Sequence, residues 1–149
     1  MRQEDRCQRV HRLYEWEKAK RLKGKKYQYI AGIDEAGRGP MAGPVVSAAV
    51  ILADKPEISD IDDSKKLSPK MREEAFKQII TNSVAFGIGI RSASFVDRAG
   101  IMEATYSSMK MALEMLLWSG YVPGLVAVDG YPIPNLGMEQ EAVIKGDGK

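Results

Sequence analysis

One cysteine, one histidine and no long apolar run set the first limits on this chain of 149 residues. Cys7 and His11 both lie in a charged N-terminal stretch with no glycine turns or buried strand around them. A Ser/His/Asp triad, a Cys/His pair and a structural zinc site each need residues that are missing from the right places. A single cysteine makes no internal disulfide, in keeping with a reducing compartment. No apolar run reaches the ~18 residues of a membrane span. Met1-Arg2-Gln3-Glu4-Asp5-Arg6 puts charges where a signal peptide has its apolar segment. The expectation is a soluble, cytoplasmic protein with no membrane partner. What remains is carboxylate and lysine chemistry: 20 Asp plus Glu stand against 22 Lys plus Arg, with oxygen ligands suited to Mg2+ or Mn2+.

The length suits one domain that buries roughly two thirds of its unfolded surface. Its net charge of +2 hides an asymmetry, because residues 1–26 carry ten Lys and Arg against four acids while residues 27–149 carry twelve against sixteen. Residues 1–26 are therefore set apart as a basic helical arm. Val10, Leu13, Tyr14 and Leu22 give it a partial apolar stripe and Gly24 a stop. Such an arm reads either as a solvated helix or as a sequence-independent contact for a polyanion.

Residues 27–149 form the main unit. Tyr27 to Asp34 reads as a strand and Val45 to Leu52 as a second, joined by a glycine-proline segment. Ser68-Pro69 opens a helix to about Ile80 by supplying a cap and then a proline in the first turn. Val84 to Arg91 alternates as a third strand. Ser94 with Asp97 resembles a capping box, and Thr105, Met109, Ala112, Leu113, Leu116 and Leu117 recur at helical spacing up to Gly120. Leu125 to Val128 and Ala142 to Ile144 are short apolar strands. The order β, β, α, β, α, α, β, β predicts an α/β fold with a mixed five-stranded sheet whose first three strands are antiparallel.

Asp34, Asp129 and Asp147 each lie at or just beyond the carboxyl end of one of these strands, and Glu35 adjoins the first. Ligands of open α/β sheets gather at that edge. Asp-Gly pairs also mark ordinary turns, but the setting recurs three times. Four carboxylates brought together would repel one another unless cations lay between them, and two divalent ions ~3.5–4 Å apart can clamp both oxygens of a phosphodiester displacement.

The segment Gly37-Arg38-Gly39-Pro40-Met41-Ala42-Gly43-Pro44 is neither a dinucleotide fingerprint nor a P-loop. Pro40, Pro44 and the following strand stand where a helix would open, and no Gly-Lys-Ser/Thr follows. A plain glycine-rich connection explains the glycines and leaves Arg38 unexplained. Asp63-Ser64-Lys65-Lys66-Leu67-Ser68 reads either as a polar loop before a capped helix or as a hydroxyl and ammonium groups placed to hold a phosphate.

Taken in order, Gly32-Ile33-Asp34-Glu35-Ala36-Gly37-Arg38-Gly39-Pro40-Met41-Ala42-Gly43-Pro44-Val45-Val46, Asp63-Ser64-Lys65-Lys66-Leu67-Ser68, Val128-Asp129-Gly130 and Ile144-Lys145-Gly146-Asp147 resemble the motifs of bacterial ribonuclease HII. The resemblance runs from about Tyr27 to the last residue, and Gly37-Arg38-Gly39 favours this type over ribonuclease HIII. It implies a ribonuclease H-like fold and an endonuclease that hydrolyses RNA in RNA/DNA hybrids and at ribonucleotides embedded in duplex DNA, leaving 3′-hydroxyl and 5′-phosphate ends. By the same resemblance Asp34, Glu35, Asp129 and Asp147 are catalytic ligands of Mg2+ or Mn2+, two ions with substrate bound. Gly37, Arg38 and Gly39 would recognise the ribonucleotide around its 2′-hydroxyl, and Ser64 and Lys65 would contact the strand backbone. The implied enzyme is a monomer.

The family pattern continues past Asp147 with a serine- and alanine-rich helix and further helices, whereas this sequence stops at Lys149. The expectation is a catalytic domain lacking its C-terminal helices, with the apolar faces of the strands Leu125 to Val128 and Ala142 to Ile144 exposed or poorly packed. Two other readings stay open. One is a nucleic-acid-binding remnant of the same fold that does not cut. The other is a hydrolase using Ser64 with Lys65 as its base.

Overall fold

The computed structural model describes residues 14–21, 27–40, 42–54, 56–59 and 64–143. Its strands are β1 (Ile30–Ala36), β2 (Val45–Leu52), β3 (Ser83–Arg91), β4 (Leu125–Asp129) and β5 (Gln140–Val143). They form one sheet in the order β3-β2-β1-β4-β5. The first three strands are antiparallel neighbours, and β4 runs parallel to both β1 and β5. Helix α1 comprises residues 14–21, α2 Pro69–Asn82, α3 Ala93–Ala99 and α4 Ile101–Trp118.

Helix α4 lies on β3 and β2 and reaches β1. Thr105, Ser108, Met109, Ala112, Leu113 and Leu116 recur every three or four residues and are buried, so they form one stripe against the sheet. Met109, Ala112, Leu113 and Leu116 meet Ala31, Ile33, Ala49, Ile51, Val126 and Val128 in a single core. Burial of each large side chain stabilises the fold by about 1.5–3 kcal/mol. Gly87 and Gly89 set how closely α4 sits on β3. A Cβ added at Gly87 would lie 2.1 Å from the Ala112 carbonyl oxygen, and one at Gly89 would lie 1.9 Å from that of Ser108. One polar pair enters this layer, Ser47 Oγ with Ser108 Oγ at 2.6 Å, and Ser108 also donates to the Thr105 carbonyl at 2.9 Å. The hydroxyls are thereby satisfied without water.

Ser68 caps α2 as the sequence implies, accepting from the Met71 amide at 3.3 Å. The cap of α3 is Ser92 rather than Ser94: Ser92 has extended backbone and accepts from the Phe95 amide at 3.3 Å, while Ser94 lies inside the helix. The helix begins as soon as β3 ends, which leaves no room for a later cap. Gly100, with φ +84°, ends α3 and turns the chain into α4.

The exposed strand face is not where the sequence led us to expect it. Leu125, Val126 and Val128 are buried, and Val126 and Val128 pack with Met109, Leu113 and Leu116 of α4 in the core. Ala142 and Val143 are half-buried, and Ile144 lies outside the described residues. The open row is Val84, Phe86, Ile88 and Ile90 of β3, between 38% and 54% exposed. It lies on the side of the edge strand away from α4. Helix α1 is tied to β5 by an ion pair from Lys20 to Glu141 and to the end of β2 by Arg21, which pairs with Asp54 and donates to the Leu52 carbonyl at 3.3 Å. Val10, Leu13, Leu22 and Gly24 of the expected arm lie outside the described residues. Among the described residues no helix is long and apolar enough to cross a membrane.

Candidate active site

Strand β1 continues two residues past Asp34, so Asp34 and Glu35 are strand residues rather than strand-end residues. Side chains alternate along a strand, which sends the two carboxylates to opposite faces. Glu35 pairs with Ser47 and shares the α4 face. Asp34 takes the other face. The parallel register aligns Ile33 with Val128, so Asp34 and Asp129 follow side by side on that same face. Asp129 in turn partners Val143, the last described residue of β5, four positions before Asp147 in the sequence. Asp147 itself lies outside the described residues.

The Asp34 carboxylate is open to solvent on its face and accepts the Glu35 amide at 2.7 Å. Neighbouring protein nevertheless strips part of its water, and this desolvation pushes its carboxyl above the usual carboxylate range. The Glu35 amide opposes that rise, the negative charges of Asp129 and Glu35 add to it, and the Lys65 ammonium opposes it. Crowding of this kind is what a bound cation relieves, and hard carboxylate oxygens are the donors that Mg2+ and Mn2+ prefer. Asp34, Asp129 and a third carboxylate would fit such an ion. Among the described residues, however, no three His, Cys, Asp or Glu side chains are gathered closely enough to hold one. Glu35 is turned instead toward Arg38.

Arg38 Nη1 donates to Glu35 Oε1 at 2.9 Å, and Arg38 Nη2 reaches Met102 Sδ at the start of α4 at 3.5 Å. The bond to Glu35 is the main cause that raises the guanidinium above its already high value; desolvation works against it, and the Glu35 charge adds to it. Arg38 therefore stays charged. The loop that carries it depends on Gly37, whose φ is +98° and whose added Cβ would lie 2.3 Å from the Pro44 carbonyl oxygen. Gly39 differs: nothing lies within 4 Å of its added Cβ, so its missing side chain leaves open space.

Ser64 and Lys65 open a 3-10 turn, Ser64–Lys66, that leads into α2. Arg72 Nη1 pins this turn by donating to the Ser64 carbonyl at 3.1 Å and the Leu67 carbonyl at 2.9 Å, and Leu67 is buried. The Lys65 charge is thereby felt at Asp34. Asp63 lies outside the described residues. Sequence reasoning missed Tyr131, which is 69% exposed two residues after Asp129. Its signal was available: an aromatic beside a candidate metal-binding acid. The loop that holds it is fixed by Gln140, whose side chain both accepts from the Ile133 amide at 2.7 Å and donates to the Ile133 carbonyl at 2.8 Å.

Comparison with known proteins gives a consistent result. A sequence model of ribonuclease HII matches residues 31–149. The chain is 49% identical over 123 residues to ribonuclease HII of Caldicellulosiruptor bescii, covering 83% of this chain and 58% of that protein. It is 44% identical over 136 residues to ribonuclease HII of Geotalea daltonii, covering 91% and 61%. The chain thus spans less than two thirds of the length of these curated relatives. Among solved structures it is similar to ribonuclease H2 from Pyrococcus horikoshii OT3, with TM-score 0.62, 25% identity and coverage of 80% of this chain and 64% of that one. It is also similar to ribonuclease HII in the PCNA:RNase HII complex from Archaeoglobus fulgidus, with TM-score 0.58, 27% identity and the same coverages. The mixed five-stranded sheet with its flanking helices is the ribonuclease H-like fold.

Proposed function

Because this chain belongs to the ribonuclease HII family, we propose that it carries the catalytic face of a divalent-metal-dependent endonuclease. The substrates are RNA/DNA hybrids and duplex DNA containing ribonucleotides, and the products carry 3′-hydroxyl and 5′-phosphate ends. The observation that carries this reading is the placement of Asp34 beside Asp129 on one sheet face, next to a loop in which a Cβ at Gly39 would meet open space.

Asp34, Glu35, Asp129 and Asp147 would supply oxygens to Mg2+ or Mn2+, two ions with substrate bound. The metal would stabilise charge on the phosphodiester oxygens and favour deprotonation of the attacking water. The chain's own residues orient the strand. Gly39 leaves space for the sugar, so that backbone groups of Gly37, Arg38 and Gly39 can read a 2′-hydroxyl, the group that separates RNA from DNA. Ser64 and Lys65 hold a strand phosphate, and the Lys65 charge moderates the repulsion at Asp34. Residues 1–26, as a basic arm, would add sequence-independent attraction to the duplex.

The test is cleavage of matched duplexes, one with a single ribonucleotide, one an RNA/DNA hybrid and one all DNA, with Mn2+ or with EDTA. We expect cuts only in the first two and only with Mn2+. Cleavage that survives EDTA would favour a Ser64–Lys65 hydrolase, and hybrid binding without a cut under any metal would favour a non-catalytic remnant.

A further inference from the structure

A third strand ends on the edge of the sheet that carries Asp34 and Asp129. β1 runs parallel to β4, and β1 and β3 are each antiparallel to the β2 strand between them, so β3 points the same way as β1 and β4. Arg91 is its last residue. It partners Val45, the residue after Pro44, and the register that sets Ala36 beside Val46 brings Arg91 level with Gly37. Two strand spacings, about 10 Å, separate the two backbones. Along this edge the carboxylates therefore lie on one side of the β1–β2 connection and a guanidinium on the other.

The Arg91 side chain is already oriented. Its Nε donates to Ser107 Oγ at 2.8 Å, and its guanidinium carbon lies 4.8 Å from the centre of the Phe95 ring. One bond and one stack fix the plane of the fork, so little freedom is left to lose when an anion binds. Both Nη atoms are unspent: among the described residues neither has a protein partner, and neither is buried. Arg38, by contrast, has committed its Nη atoms to Glu35 and Met102. A fixed guanidinium with open Nη donors is matched to the oxygens of a phosphate.

We propose that Arg91 is a further substrate-binding residue, holding a backbone phosphate of the nucleic-acid strand where it passes the β3 end of the sheet edge, to one side of the cleaved bond. This rests on the ribonuclease reading above. An arginine that only fastened β3 to α3 and α4 would use Nε and the ring face and be indifferent to any one phosphate of the strand.

The experiment is fluorescence anisotropy in EDTA, over a series of KCl concentrations, with a duplex carrying a single ribonucleotide. Arg91→Gln should weaken binding about three- to tenfold and lower the slope of log Kd against log salt by about one. Arg91→Lys, which keeps the charge and loses the fork, should keep the slope at an intermediate affinity. Replacing the strand phosphates one at a time by neutral methylphosphonates should reveal a position beside the ribonucleotide that costs the parent affinity and costs Arg91→Gln nothing. Unchanged affinity and slope in Arg91→Gln would overturn the proposal. So would a loss in Arg91→Gln that is equal for every methylphosphonate duplex, because that is the mark of a structural role. Duplex binding that ignores Arg91 would sink this inference alone, whereas no duplex binding by the parent would sink it together with the ribonuclease reading.

Discussion

Asp34 is a charge held where charge is unwelcome, and that makes its cost measurable. Its carboxyl is raised above its usual 3.8 by desolvation and by Asp129 and Glu35. A raised carboxyl supports the fold when protonated and loses that support as pH rises through its folded value. Without metal, Asp34→Asn is therefore expected to melt at or above the parent temperature at pH 7, with the difference shrinking toward pH 4; a clear drop in melting temperature at pH 7 would contradict the crowding. The two loop glycines separate fold from recognition. Gly37→Ala places a side chain at positive φ and against the Pro44 carbonyl, so we expect a loss of roughly 1–3 kcal/mol in urea unfolding. Gly39→Ala meets nothing in the protein and should leave the urea midpoint unchanged while weakening cleavage at a lone ribonucleotide. At this scale the nearness of Asp34 and Asp129 was legible because each closes an apolar run. The partner of Arg38 was not, because it depends on the loop turning back onto β1, which no local pattern encodes.

Among the elements, the contact of α4 with β3 is the one that tolerates least change. Gly87→Ala or Gly89→Ala drives a methyl group into helix backbone rather than into a side chain that can rotate away. The helix must shift, and we expect a cost of about 3 kcal/mol in the denaturant midpoint. Loss of both glycines should prevent folding. The strand boundaries of β2 and the start of α2 were readable from sequence because an apolar run and a Ser-Pro cap are local signals. The alternation of β3 was also readable, yet the reason for its glycines was not, since the close approach of Ala112 and Ser108 from a later helix is a tertiary fact. The cap of α3 moved from Ser94 to Ser92 for a related reason: both serines are competent caps, and the end of β3 decides between them.

For the molecule as a whole, the open row of Val84, Phe86, Ile88 and Ile90 is the main exposed apolar feature of the described residues. Contiguous apolar surface on an edge strand invites association. The chain should bind an apolar dye, and Phe86→Lys with Ile88→Lys should abolish most of that fluorescence without lowering the melting temperature; unchanged dye binding would place the exposed surface elsewhere. The sequence pointed to β4 and β5 for this surface because further helices were expected to cover them, whereas Val126 and Val128 already pack with Met109, Leu113 and Leu116 of α4. Strand order across the sheet sets Asp34 beside Asp129, residues 95 positions apart in the chain. The central claim is that these two acids form one metal-dependent catalytic face. Its most direct measurement is Mn2+-dependent nicking of a duplex with a single ribonucleotide by the parent, Asp34→Asn and Asp129→Asn at matched duplex binding. We expect each variant to lose about a thousandfold or more in rate while still binding the duplex, and near-parent nicking by either variant would contradict the account.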